Sequence, residues 1–260
     1  MRCSPWVSDA TSLSLHSWRF MSTTLATLQK NLDQITQRIE LACERSNRDR
    51  TEVRVIGVTK YAQTEWVREL VELGWTTLGE ARPQQLVERA EQFHNDPDMP
   101  AVNWHLIGHL QRNKVRPILP VVEVIHSVDS LRLLDRIEFI ADELGTRPRV
   151  LLEVNIAEDS AKDGFSVSNL QREWPELVDR SAVQIEGLMT MAPHTDDETL
   201  IRRTFAQLRE LRDQLRDQSP VHCPLDELSM GMSGDFEIAI EEGSTMIRLG
   251  SALFEGLHDQ

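Results

Sequence analysis

Short apolar runs rich in β-branched residues alternate with amphipathic helical patterns along most of the chain. Buried parallel strands are nearly continuous apolar runs, whereas apolar residues three and four positions apart are typical of helices. The predicted strands are 53–59, 75–79, 103–108, 122–128, 149–156, 183–191, 227–232 and 245–251. The predicted helices between them are 64–73, 82–93, 112–119, 130–144, 168–180, 196–217 and 235–242. Another helix is predicted before the first strand, from the apolar stripe Leu25, Leu28, Leu32, Ile35 and Ile39.

Strands that are each separated by a helix indicate an all-parallel sheet in an α/β protein. The sheet could be open and doubly wound, or closed as a (β/α)8 TIM barrel, and the count of eight strands in 260 residues favours the barrel. A dinucleotide-binding sheet would carry G-x-G-x-x-G after its first strand, which Gly57-Val58-Thr59-Lys60 does not supply. We therefore predict one barrel domain over residues 23–260.

The first 22 residues differ from the rest of the chain because they show no convincing periodicity. They also lack the compact apolar core of a secretory signal. A disordered tail, a transit-like segment and a mis-assigned start with Met21 as initiator are the three interpretations. We favour an N-terminal tail or a mis-assigned start for residues 1–22.

The overall charge of the chain argues against two classes of partner. Lys plus Arg total 28 against 42 Asp plus Glu, a formal net charge of -14, which disfavours nucleic acid and anionic membranes. No apolar run approaches the roughly 18–20 residues of a membrane span. The three cysteines, Cys3, Cys43 and Cys223, are far apart, and neither C-x-x-C nor H-E-x-x-H occurs. We therefore expect a cytoplasmic protein without a metal site.

Alternation along two strands predicts which side chains enter the barrel lumen. In the last predicted strand Ile247 and Leu249 suit the helix layer, so Arg248 faces inward near the C-terminal mouth. In the fifth strand the same argument turns Glu153 and Asn155 inward. Polar groups in a lumen are costly unless they are paired, so they belong to a site or a network.

Lys60 ends the first strand at the mouth where barrel enzymes place their sites. Partial burial beside Arg248 is expected to favour the neutral amine that attacks an aldehyde. On its position alone, a solvated lysine at the end of a strand is the favoured interpretation of Lys60.

The loops after the last two strands favour a chemical role for Lys60 over a merely solvated lysine. Residues 230–234 read Met-Gly-Met-Ser-Gly before a helix that opens at Asp235, and Gly250-Ser251 follow the eighth strand. In barrels these loops often bind phosphate through backbone N–H groups, although glycine and serine are also ordinary turn residues. An amine facing a phosphate site suits pyridoxal 5'-phosphate, an aldehyde that carries a phosphate.

Short motifs in sequence order make the chain resemble the pyridoxal phosphate homeostasis protein family from about Leu25 to Gly256. The matching pieces are Val58-Thr59-Lys60, Leu78-Gly79-Glu80, 104–114, Ser127-Val128-Asp129, Val154-Asn155-Ile156, Lys162-Asp163-Gly164, Gly187-Leu188-Met189, 228–235 and 246–251. The resemblance implies a single barrel similar to the N-terminal domain of alanine racemase.

The resemblance also implies the site. It places pyridoxal phosphate on Lys60 as a Schiff base and Arg248 opposite the pyridine nitrogen. The residues that it places around the phosphate are Ser229, Met232, Ser233, Gly250 and Ser251. The family usually continues Gly-Glu with Asn where this chain has Ala81, so one contact near the cofactor is in doubt.

The function that the resemblance implies is intracellular vitamin B6 homeostasis, in which a monomer holds the cofactor without established turnover and hands it to apoenzymes. No catalytic residue is assigned. One alternative is a pyridoxal-phosphate-dependent racemase or decarboxylase, although the only tyrosine, Tyr61, adjoins Lys60. Another is a Schiff-base aldolase that binds a phosphorylated substrate.

Overall fold

The computed structural model describes residues 23–159 and 163–257. Its eight parallel strands form a closed barrel in chain order, with the last strand paired to the first. The strands are β1 (Arg54–Val58), β2 (Thr77–Glu80), β3 (Asn103–Leu106), β4 (Val124–Val128), β5 (Arg149–Glu153), β6 (Gln184–Met189), β7 (Glu227–Ser229) and β8 (Met246–Leu249). The predicted barrel is confirmed, and the predicted tail over residues 1–22 lies outside the described residues.

The helices follow the predicted positions, with one difference. They are α1 (Thr23–Arg45), α2 (Thr64–Glu72), α3 (Pro83–His94), α4 (Val115–Ile118), α5 (Leu131–Leu144), α6 (Val167–Val178), α7 (Glu198–Arg216) and α8 (Phe236–Glu241). The prediction of one helix over 112–119 is wrong, because a 3-10 turn, Arg112–Lys114, precedes the short α4. In a continuous helix over 112–119, Pro117 would lack the N–H that bonds to the carbonyl of Asn113, so the helix would lose a hydrogen bond.

Helix α1 completes the outer ring. Helices α2 to α8 follow β1 to β7, and α1 packs against both α8 and α2, where a helix after β8 would lie. The Asn31 Nδ2 amide donates hydrogen bonds to the carbonyl oxygens of Leu253 at 2.9 Å and Glu255 at 3.0 Å. The N-terminal helix is thereby tied to the turns that follow β8.

Two apolar clusters lie on the two faces of the sheet. The helix-facing cluster includes Ile247 and Leu249, as the alternation of β8 predicts. The lumen cluster consists of Ile56, Val124, Leu151, Met189 and Met246. Because Leu151 and Met246 face the lumen, Glu153 and Arg248 two positions later face it as well. These inward orientations were predicted, and the apolar lumen cluster forms the floor beneath them.

Several predicted strands run beyond the observed ones at their C-terminal ends. The fifth was predicted to reach residue 156, but β5 ends at Glu153 although Val154 and Ile156 are buried. Apolar residues therefore continue into the mouth loops after the parallel ladder stops. In the described ranges no helix is long and apolar enough to cross a membrane.

Candidate functional site

The segment that carries Lys60 turns sharply after β1. The Thr59 N–H donates to the Gly79 carbonyl at 3.0 Å, and the Ala62 N–H donates back to the Thr59 carbonyl at 2.9 Å. Lys60 is exposed at this turn, with its Nζ 5.1 Å from the centre of the Tyr61 ring. The expected partial burial of Lys60 is wrong, so its amine is accessible from the mouth.

A buried polar network anchors this turn from below. The Thr59 hydroxyl donates to Glu80 Oε1 at 2.6 Å, and Glu80 is fully buried at the end of β2. Arg89 Nη1 lies 3.1 Å from the same oxygen as an ion pair without the alignment of a hydrogen bond. Arg89 Nη2 donates to the Ala62 carbonyl at 2.6 Å. Residues on both sides of Lys60 are therefore held by one carboxylate and one guanidinium.

Burial dominates the electrostatics of this network. It raises the pKa of Glu80 above the ordinary value, while the Thr59 hydrogen bond and the Arg89 charge act in the opposite direction. A buried carboxylate is costly unless it is paired, and here a hydroxyl and a cation share one of its oxygens. The network is consequently sensitive to the loss of any one partner.

Arg248 is buried in the lumen with a fixed orientation. Its Nη1 donates to Ser229 Oγ at 2.6 Å, and its Nη2 donates to the Thr190 carbonyl at 3.0 Å. Burial lowers the pKa of Arg248 to about 10, against the opposing charges of Asp235 and Glu153. The guanidinium therefore remains a cation at neutral pH.

Two buried histidines extend the contact of Ser229 across the lumen. His126 Nδ1 lies 2.8 Å from Ser229 Oγ, and His126 Nε2 lies 2.8 Å from His105 Nδ1. Burial lowers the pKa of His105 to about 3 and that of His126 well below its ordinary value, so both rings are neutral. We assign Ser229 as donor to His126, and His126 as donor to His105, because this direction gives each proton one acceptor.

The loops after β7 and β8 are joined through Ser233. Its Oγ accepts the backbone N–H groups of Gly250 and Ala252, both at 3.3 Å. Gly231 has φ +95°, and a Cβ there would lie 2.5 Å from the Cβ of Ala239, so the sharp turn after β7 requires glycine. A Cβ on Gly250 would lie 3.3 Å from the Cβ of Val58, two positions before Lys60. The end of β1 and the loop after β8 are therefore close neighbours.

The other residues that were predicted to contact the phosphate are Ser251, Met232 and Ser229. Ser251 and Met232 are exposed, and the Met232 N–H donates to Asp235 Oδ1 at 2.5 Å. Ser229 differs because it is fully buried and bonded to Arg248, so it lies beneath the mouth and not among the exposed loop residues. Contacts thus join Ser229 with Arg248 and Ser233 with Gly250.

The sequence analysis assigned no role to several residues of these networks. Arg89 left a signal, because it lies on the stripe of α3 that buries Leu86 and Phe93. His126 also left a signal in the sequence, because it lies two positions after the lumen residue Val124 and therefore faces the lumen. Thr190 contributes only a backbone carbonyl to Arg248, and no side-chain pattern predicts that role. Thr59 was named only as part of a motif, and its contact with Glu80 was not predicted.

The chain is similar to characterised families over most of its length. Residues 30–257 match the alanine racemase N-terminal domain family. A pyridoxal phosphate homeostasis protein of Aquifex aeolicus is 37% identical over 225 residues, covering 86% of this chain and 96% of that protein. PipY of Synechococcus elongatus with pyridoxal phosphate bound is 37% identical with a TM-score of 0.73, covering 85% of this chain and 99% of PipY.

Similarity to an alanine racemase of Clostridium difficile concerns the fold alone. That structure is 18% identical with a TM-score of 0.69, over 88% of this chain and 56% of the racemase chain. The relatives with higher identity are matched over nearly their whole length, and the barrel is the fold that the motifs predicted. The chain belongs to the pyridoxal phosphate homeostasis protein family.

Proposed function

We propose that this protein holds pyridoxal 5'-phosphate reversibly on Lys60 and acts in pyridoxal phosphate homeostasis. The observation that carries the proposal is an exposed lysine two positions after Val58, where the end of β1 adjoins Gly250 in the loop after β8. The names of relatives at 37% identity and the ligand of PipY support the same cofactor.

The mouth loops fit a phosphate. When bound, pyridoxal phosphate supplies an aldehyde that bonds reversibly to a primary amine. The hydroxyls of Ser233 and Ser251 and the N–H groups of Gly250 and Ala252 are the local donors that a chain of net charge -14 requires for an anion. The two N–H bonds to Ser233 are long at 3.3 Å, so a phosphate oxygen can compete for these donors.

Arg248 favours holding the cofactor over using it. A guanidinium donates hydrogen bonds and accepts none, so an Arg248 that faces the pyridine nitrogen leaves that nitrogen unprotonated. An unprotonated ring withdraws electrons less strongly. Ser229 and Thr190 fix the orientation of Arg248 in the lumen. We propose on this basis that the protein is a carrier and not an efficient enzyme.

Three further expectations stay predictions: a monomeric state, a cytoplasmic location, and transfer of the cofactor to apoenzymes. In the described part of the chain, Cys43 and Cys223 are buried and free, which is compatible with a reducing compartment. The effect of Ala81, where the family usually has Asn, also stays a prediction.

The decisive experiment is an absorption spectrum of the purified protein followed by borohydride reduction and peptide mapping. We expect a visible band that reduction removes, with the label on the peptide that contains Lys60. Lys114, in the 3-10 turn after β3, is the internal comparison because it is less exposed than Lys60. A label on Lys114, or no label in protein saturated with pyridoxal phosphate, would contradict the proposal.

A further inference from the structure

Three side chains with metal-ligand atoms converge at the barrel mouth, after β3, β4 and β5. His109 Nδ1 lies 3.3 Å from Asp129 Oδ2 and 3.4 Å from Asp163 Oδ2. One ligand atom from each residue lies within 4.8 Å of the other two. His109 and Asp163 are exposed and Asp129 is half-buried, so the cluster is open to solvent.

A fourth side chain, Glu153, brings a buried carboxylate to this cluster. Glu153 is 7% exposed at the end of β5 and faces the lumen side of the mouth. Within residues 23–159 and 163–257, no hydrogen bond or ion pair joins its carboxylate to another side chain. Burial first, and then the charges of Asp129 and Asp163, raise the pKa of Glu153 to about 7, against Arg248 and His109.

Such an arrangement favours the binding of a cation. Three carboxyl groups lie close together, and the most buried of them lacks a bonded counter-charge. Arg248 acts on Glu153 through charge alone, since its Nη1 and Nη2 donate to Ser229 and Thr190. A positive charge among the three carboxyl groups would offset their mutual repulsion.

We propose that His109, Asp129 and Asp163 bind a divalent metal ion, with the carboxyl group of Glu153 behind them. One imidazole nitrogen with carboxylate oxygens suits Mn²⁺, Fe²⁺ or Zn²⁺ better than the all-oxygen ions Ca²⁺ and Mg²⁺. The exposure of His109 and Asp163 leaves room for water on the outer side of the ion. The absence of C-x-x-C and H-E-x-x-H motifs does not conflict with this site, because its ligands come from three separate loops.

The test uses the full chain, stripped with EDTA and dialysed, and titrated with Mn²⁺ while free Mn²⁺ is counted by electron paramagnetic resonance. Saturable uptake of one Mn²⁺ per chain, displaced by Zn²⁺, is the expected result. Asp129→Asn and Asp163→Asn should each weaken binding by roughly tenfold or more. Asp142→Asn makes the same charge change at an exposed position of α5 and should bind like the wild type.

Two other results would overturn the proposal. One is no saturable uptake of Mn²⁺ or Zn²⁺, which would leave His109 as a simple partner of the two carboxylates. The other is uptake that Asp129→Asn and Asp163→Asn leave unchanged while circular dichroism shows both variants folded. Binding should survive Lys60→Ala, because the site uses no atom of Lys60, so its failure and the failure of cofactor binding are separate outcomes.

Discussion

The Thr59 hydroxyl donates a 2.6 Å hydrogen bond to the Glu80 carboxylate, and both residues are fully buried. Thr59 immediately precedes Lys60, and Glu80 ends the neighbouring strand β2. A hydrogen bond to a carboxylate in a low-dielectric interior is stronger than one to a neutral acceptor. The direction in which the chain leaves β1, and therefore the place of the Lys60 amine, depends on this contact.

Replacing Thr59 tests that dependence. Thr59→Val keeps the shape but leaves the buried Glu80 without its hydroxyl donor, so we expect a loss of about 1–3 kcal/mol in unfolding free energy. We also expect weaker pyridoxal phosphate binding in the folded variant, measured by titrating the visible band. Thr59→Ser retains the hydroxyl and should recover most of the affinity. Equal affinity in the valine and serine variants would show that the contact does not position Lys60.

Lys60→Ala removes the amine that the proposed function requires. The visible band and the borohydride label should both disappear, while the melting temperature changes little because Lys60 is exposed. Lys114→Ala is the matched control and should keep both signals. Retention of the band in Lys60→Ala would place the covalent bond on another lysine.

Arg248 should determine the spectrum of the bound cofactor. Arg248→Glu replaces the donor with a carboxylate, so we expect a shifted absorption band and faster cofactor release. It also places a negative charge near Asp235 and Glu153, and breaking a buried charge network costs roughly 3–5 kcal/mol.

Ser229→Ala is the gentler companion variant. It removes the acceptor for Arg248 Nη1 and keeps the guanidinium, so we expect a smaller spectral shift and a stability loss of about 1.5–3 kcal/mol. A spectrum that neither variant changes would place Arg248 away from the cofactor.

The buried histidines should make the barrel sensitive to acid. The pKa of His105 is lowered to about 3, so the unfolded chain takes up this proton near pH 6.5 while the folded chain does not. The contribution of His105 to the unfolding free energy is therefore fully present above about pH 6.5. Below that pH it falls by up to about 1.4 kcal/mol per pH unit, down to the pKa of His105 in the folded chain. The measurement is urea unfolding between pH 7 and pH 5, monitored by tryptophan fluorescence.

His105→Gln should flatten that pH dependence, because the substituted side chain takes up no proton. His94→Gln, at an exposed position on α3, should leave it unchanged. Carboxyl groups add to the slope in all three proteins, so the informative quantity is the difference in slope between each variant and the wild type. Equal slopes in His105→Gln and the wild type would mean that His105 is not the acid-sensitive group.

The barrel followed from the sequence because alternation and loop chemistry are local. The inward direction of Arg248 came from its apolar neighbours Ile247 and Leu249, and the structure confirms it. The link between Glu80, Thr59 and Arg89 was not visible because these residues come from three elements that meet only after closure. The wrong expectation for Lys60 has a similar origin, since exposure at a turn depends on the surrounding loops.

Racemisation is the activity that would most directly contradict a carrier. Two-base racemisation needs acid–base groups on opposite faces of the substrate. Here the only tyrosine, Tyr61, is 70% exposed and adjoins Lys60, with its ring centre 5.1 Å from the lysine Nζ. It is therefore poorly placed to serve the face opposite Lys60.

We expect hydrogen exchange at Cα of L-alanine in heavy water to proceed no faster with this protein than with an equal concentration of free pyridoxal phosphate. Nuclear magnetic resonance measures the exchange, and chiral chromatography detects D-alanine. Tyr61→Phe is the informative companion, because residual exchange that it leaves unchanged would not come from the tyrosine. Rapid exchange with D-alanine formation, lost in Lys60→Ala, would establish an enzyme in place of a carrier, because the amine of Lys60 would then be acting on substrate as well as holding the cofactor.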